Sequence, residues 1–96
     1  MATFISLVNF TDQGIRNVKE SPARAEAFTA QASKLGLSVK SIYWTSGSCD
    51  LVVVSEGSEE AAMAALLSLG SLGNVRSQTL RAYSAAEFKK FIALMP

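Results

Sequence analysis

Residues Thr3 to Phe10 put apolar side chains on both faces of an extended segment, Phe4, Val8 and Phe10 on one and Ile5 and Leu7 on the other. That pattern predicts a central strand. Thr11 or Asp12 then caps a helical stretch carrying Ile15 and Val18, and Ser21-Pro22 restarts it, with Ser as cap and Pro at the first helical position. The restarted helix presents Ala25, Phe28, Ala32 and Leu35 as an apolar stripe that Gly36 ends. One kinked helix or two abutting ones are expected. Leu37 to Trp44 reads as a second strand, and the polar residues Ser38, Lys40 and Ser41 along it mark an edge position. After the turn Thr45-Ser46-Gly47-Ser48, Leu51-Val52-Val53-Val54 has no polar face, as a strand covered on both sides requires.

Ser58-Glu59-Glu60 sets a cap and two acids at a helix start, where the macrodipole favours negative charge. Ala62, Met63, Leu66, Leu67 and Leu69 form its expected apolar side, closed by Gly70. Val75 to Tyr83 alternates as a fourth strand with edge character through Arg76, Gln78, Thr79 and Arg81. Ser84-Ala85-Ala86-Glu87 is a capping box that opens a last helix, with Phe88, Phe91, Ile92 and Met95 on one side. The order βαββαβ plus a C-terminal helix is an α+β, ferredoxin-like arrangement in one domain, residues 1–96, with a four-stranded antiparallel sheet. Right-handed crossovers put strands one and three in its middle. Two helices cover one face of such a sheet. A second subunit is the economical cover for the other.

Composition narrows the chemistry. With 49% hydrophobic and 18% charged residues the chain is globular, and at 96 residues it has a small core that pairing would support. A net charge of +1 with scattered Lys and Arg sets up no field for nucleic acid or anionic lipid, so neither is an expected partner. Apolar runs are too short to span a bilayer, and Met1-Ala2-Thr3-Phe4 lacks the basic start of a signal peptide; the expected location is cytoplasmic. Histidine is absent, which removes Ser-His-Asp triads, Cys-His pairs and the usual His-containing metal sites. No metal or cofactor is expected. Cys49, the single cysteine, makes no intramolecular disulfide.

Four stretches agree in order and spacing: Asn9-Phe10-Thr11-Asp12-Gln13-Gly14-Ile15, Tyr43-Trp44-Thr45-x-Gly47, Asp50-Leu51-Val52, and Gly70-Ser71-Leu72-Gly73-Asn74-Val75-Arg76 through Thr79-x-Arg81-Ala82. Together they resemble the GYD domain family of small bacterial proteins, over residues 3 to 91. The resemblance implies a fold of the dimeric α+β barrel type, with two sheets facing each other across a pocket, and no particular chemistry. In the Gly-x-Tyr-Asp signature this chain carries Cys49 between Gly47 and Asp50, so any role of that tyrosine does not carry over.

Six residues are candidates for a ligand site: Asn9, Tyr43, Trp44, Asp50, Arg76 and Arg81. Asp50, starting a buried strand after a turn, is a candidate general base, and its plainer reading is a turn acid bonded to backbone amides. Arg76 and Arg81 are five apart, so they lie on opposite faces and one of them can point into a pocket to hold a carboxylate or enolate oxygen. Asn9 leaves a central strand beside the same cleft. Tyr43 and Trp44 alternate in side, one ring packing on the helices and the other meeting a partner sheet or a ligand. Cys49 next to a carboxylate reads as a small buried hydrophobe. No catalytic residue is assigned. The first functional expectation is a homodimeric ligand-binding or accessory module without chemistry of its own. The alternative is a cofactor-independent enzyme, of monooxygenase or isomerase type, acting on a small aromatic or enolisable compound through Asn9, Tyr43, Arg76 and Asp50. A partly polar cavity bordered by one of the arginines is expected in either case.

Overall fold

The computed structural model describes every residue, Met1–Pro96. Strands β1 (Ala2–Phe10), β2 (Ser38–Trp44), β3 (Leu51–Gly57) and β4 (Val75–Ala82) form one antiparallel sheet in the order β2-β3-β1-β4. The two strands with apolar residues on both faces therefore occupy the centre, and the two polar strands the edges. Helices α1 (Asp12–Arg16), α2 (Ser21–Lys34), α3 (Glu59–Ser71) and α4 (Ala85–Ala93) complete the ferredoxin-like arrangement, with a short 3-10 turn at Val18–Glu20 between α1 and α2. Of the two expected arrangements, one kinked helix or two abutting ones, the second is observed. No helix is long and apolar enough to cross a membrane.

Phe4, Ser6, Val8 of β1 and Leu51, Val53, Ser55 of β3 are buried beneath α2 and α3, while Ile5, Leu7, Val52 and Val54 alternate onto the opposite face and are half-buried. Burying a Phe4 or a Val8 contributes about 1.5–3 kcal/mol each. At one end of the helical layer the core is Phe4 and Leu37 with four alanines, Ala32, Ala61, Ala62 and Ala65. Small side chains let α2 and α3 approach closely there. This corrects the leucine-rich stripe expected for α3: Met63 and Leu67 are exposed and the alanines carry the contact.

The caps follow the local chemistry with two exceptions. Thr11, Ser58 and Ser84 cap α1, α3 and α4 through their hydroxyls, and Ser84 and Glu87 complete the capping box. Ser21 is not a cap. It is the first residue of α2, and its hydroxyl accepts the Trp44 indole N–H at 3.0 Å. Gly73, with φ +83°, closes α3, whereas Gly70 remains inside the helix. Glycine at position 73 escapes the Cβ clash that this left-handed conformation imposes on other residues.

The domain is thin, 18 Å in its smallest dimension, as one sheet and one helical layer require. Nothing covers the second face of the sheet. Helix α4 buries none of its residues, and Phe88, Phe91, Ile92 and Met95 remain 44–70% exposed, with Phe91 packing edge-on against the Tyr83 ring.

Candidate functional site

Three loops meet at the end of the sheet where β1 finishes. The Phe10 amide donates to Asp50 Oδ2 at 2.8 Å, and the Asp50 amide donates back to the Val8 carbonyl at 2.8 Å. These two bonds fix the β2–β3 turn against β1. From the other side, the Thr11 amide donates to the Asn74 carbonyl at 3.0 Å and the Thr11 hydroxyl to the Gly73 carbonyl at 2.6 Å. Gln13 adds bonds from Nε2 to the Leu72 carbonyl and to Asn74 Oδ1. The α3–β4 loop and the start of α1 are thereby locked together.

On the helix-free side of this junction lies an open depression of about 430 Å³, lined by Leu7, Asn9, Ser48, Cys49, Arg76, Ser77 and Gln78. Its floor follows from strand register. Asn9 pairs with Arg76 and Leu7 with Gln78 across β1 and β4, so all four side chains emerge on one face. Ser48 and Cys49 come from the turn that Asp50 anchors, and Cys49, expected to be buried, is instead half-exposed because that turn lies at the edge of the sheet. Two amides and one guanidinium around a leucine offer donors for a carboxylate or a polarised carbonyl, with acceptors beside them.

The six sequence candidates divide. Asn9 and Arg76 share the depression. Tyr43 is on the same face but two strands away, opposite Val52, and is 62% exposed. Asp50 supplies the carboxylate that holds the Phe10 amide and does not line the depression. Trp44 and Arg81 are on the helical face. Arg81 donates to the Thr3 and Ala82 carbonyls, stands 4.5 Å from the Tyr83 ring centre and pairs with Glu87 at 3.7 Å, a clamp between sheet and α4. Ser48 and Gln78 were not among the candidates. Gln78 had a usable signal, since it stands two residues from Arg76 on one strand; Ser48 is placed only by the folded turn.

The model of the GYD domain family matches residues 4–92. Comparison with curated proteins and with solved structures returns no match.

Proposed function

The chain belongs to the GYD domain family, and from that premise and the geometry of its sheet we propose that it is a homodimeric module that binds a small polar molecule. The observation that carries this reading is a surplus of surface. A compact monomer of 10.2 kDa exposes about 5,300 Å², whereas this chain exposes 6430 Å². The excess, on the order of 1,100 Å², exceeds the roughly 800 Å² that each partner buries in an interface of standard size. Much of it is apolar: Ile5, Leu7, Val52, Val54 and Leu80 on the bare sheet, and the aromatic stripe of α4. A second copy supplies the matching apolar surface, as isologous pairing does.

Sheet-to-sheet pairing leaves the polar end with Asn9, Arg76 and Gln78 as a wet pocket at the rim of the interface, where a few directed groups hold a ligand. A carboxylate or an enolisable carbonyl compound fits the guanidinium. A reducing, intracellular setting suits the unpaired Cys49 thiol beside it.

Size exclusion with light scattering tests the pairing. A mass near twice 10.2 kDa at micromolar concentration is the expected result, and a stable monomer refutes the dimer. Thermal shift with acetoacetate and related small polar carboxylates tests the pocket. Stabilisation that disappears in Arg76→Gln supports it; absence of any shift across the set refutes it.

A further inference from the structure

We infer that this protein has a second binding site, on the helical side of the sheet, for a small aromatic or branched aliphatic molecule bearing a carboxylate. Beyond the alanine contact, α2 and α3 cover the sheet less tightly, and a half-open cleft of about 120 Å³ remains between them above the buried residues of a second core cluster. Its floor is Val8, Leu51, Val53 and Val75, and its walls are Phe28 of α2 and Leu69 of α3. The volume is close to the ~150 Å³ of an apolar cavity that stays dry and takes benzene.

The mouth is charged on one side. Arg24 lines the cleft, and its guanidinium is held by two backbone carbonyls, Asn17 at 3.0 Å and Gly14 at 3.4 Å. Neither of the two ion pairs in the structure, Lys40–Glu56 and Arg81–Glu87, involves it. Two contacts use two of its five donors, so a positioned cation without an acidic partner faces an apolar slot. An apolar body with an anionic head satisfies both features at once. Leaving the slot empty forfeits dispersion contacts along its lining, which a ring-sized occupant restores.

Trp44 makes binding visible. It pairs with Leu51 across β2 and β3 and donates its indole N–H to Ser21 Oγ, and both of those residues line the cleft. It is the chain's single tryptophan.

The experiment titrates the full chain with benzoate, benzyl alcohol and acetate, following Trp44 fluorescence and melting temperature. Benzoate is expected to raise the melting temperature and change the fluorescence, benzyl alcohol to bind about tenfold more weakly, as loss of one charge-assisted contact implies, and acetate, which has no apolar body to fill the slot, to leave the Trp44 fluorescence unchanged. Arg24→Gln should bring benzoate down to the benzyl alcohol level, Ala25→Phe should abolish both by filling the slot, and Arg76→Gln should change neither. Methyl NMR of the wild-type chain adds a readout that needs no variant: benzoate should shift Val8, Val53 and Val75 and spare Ile5 and Val52. No response to benzoate at millimolar concentration, retention of binding in a folded Ala25→Phe, or shifts confined to Ile5 and Val52 would each overturn the second site. An effect of Arg76→Gln on benzoate would assign the ligand to the depression on the other face and overturn it equally.

Discussion

Asp50 Oδ2 accepts the backbone N–H of Phe10 at 2.8 Å, across forty residues of sequence, and so ties the β2–β3 turn to the last residue of β1. The carboxylate thus follows the plainer of its two sequence readings, a turn acid bonded to a backbone amide, and it holds the floor of the depression together. Asp50→Ala leaves a half-buried amide without its partner and should cost about 1.5–3 kcal/mol, the range for a hydrogen bond to a charged group. Asp50→Asn keeps an acceptor oxygen and should cost less than half of that. Urea denaturation of the three proteins measures the difference. Equal losses in both variants would mean that the charge, and not the acceptor, matters.

Gly14 carries a different kind of constraint. Its backbone is not left-handed, yet a Cβ built there would lie 1.9 Å from the Asn74 carbonyl oxygen, a backbone atom that cannot rotate away. Gly14→Ala must therefore push α1 off the α3–β4 loop and break the Thr11 bonds to Gly73 and Asn74. A loss of about 2–3 kcal/mol is expected, the upper part of the usual range for overpacking. Thermal unfolding checks it; an unchanged melting temperature would show that the junction is looser than its hydrogen bonds require.

How much of this was readable beforehand depends on range. The doubly apolar patterns of Phe4 to Phe10 and Leu51 to Val54 placed both central strands, because a period of two needs no knowledge of neighbours. Ser84 and Glu87 announced the last helix, because their partners lie three residues away. The split between Arg76 and Arg81 was also legible from their odd spacing. Which of them shares a face with Asn9 was not, since it depends on a register joining residues more than sixty apart. Ser21 illustrates the same limit: locally it looks like a cap, and a tryptophan from another element takes its hydroxyl. The cleft beside Arg24 has no signature in the chain at all, because a gap between two helices is a property of their packing.

The junction between β4 and α4 should respond to acid. Ser84 N–H bonds to Glu87 Oε1 at 2.9 Å, and this backbone bond, more than the nearby Arg81, holds the Glu87 carboxyl below its ordinary value of 4.5. A folded-state pKa below the unfolded one means that the stabilisation is complete above about pH 4.5 and fades as the pH falls through the folded value. Circular dichroism at 222 nm should accordingly show α4 fraying below that pH before the rest of the chain unfolds. Glu87→Gln retains an acceptor for Ser84 and removes the titration, so its helical signal should be flat over the same interval. An acid transition of equal size in Glu87→Gln would assign it to another carboxylate.

Val52 and Val53 are consecutive, and the pleat sends them to opposite fates. Val53 is 6% exposed, aligned with Ser6 and Ile42 beneath the helices. Val52 looks out of the bare face between Leu7 and Tyr43. Val53→Lys buries an ammonium with no partner, a penalty of several kcal/mol against a total stability of about 5–14 kcal/mol for a domain of this length. It should leave the chain largely unfolded. Val52→Lys puts the same charge where the second copy's sheet is proposed to sit; the isolated chain hydrates it freely and the pair cannot. Folded monomer is the expected product, with a native circular dichroism spectrum and half the wild-type mass by light scattering. If Val52→Lys keeps the wild-type mass, the open sheet is not the interface, and the aromatic stripe of α4 becomes the remaining surface on which two copies can meet. If instead Val52→Lys unfolds on dilution and refolds on concentration, pairing is obligatory for folding, because the mass-action term then outweighs what one sheet and one helical layer supply alone.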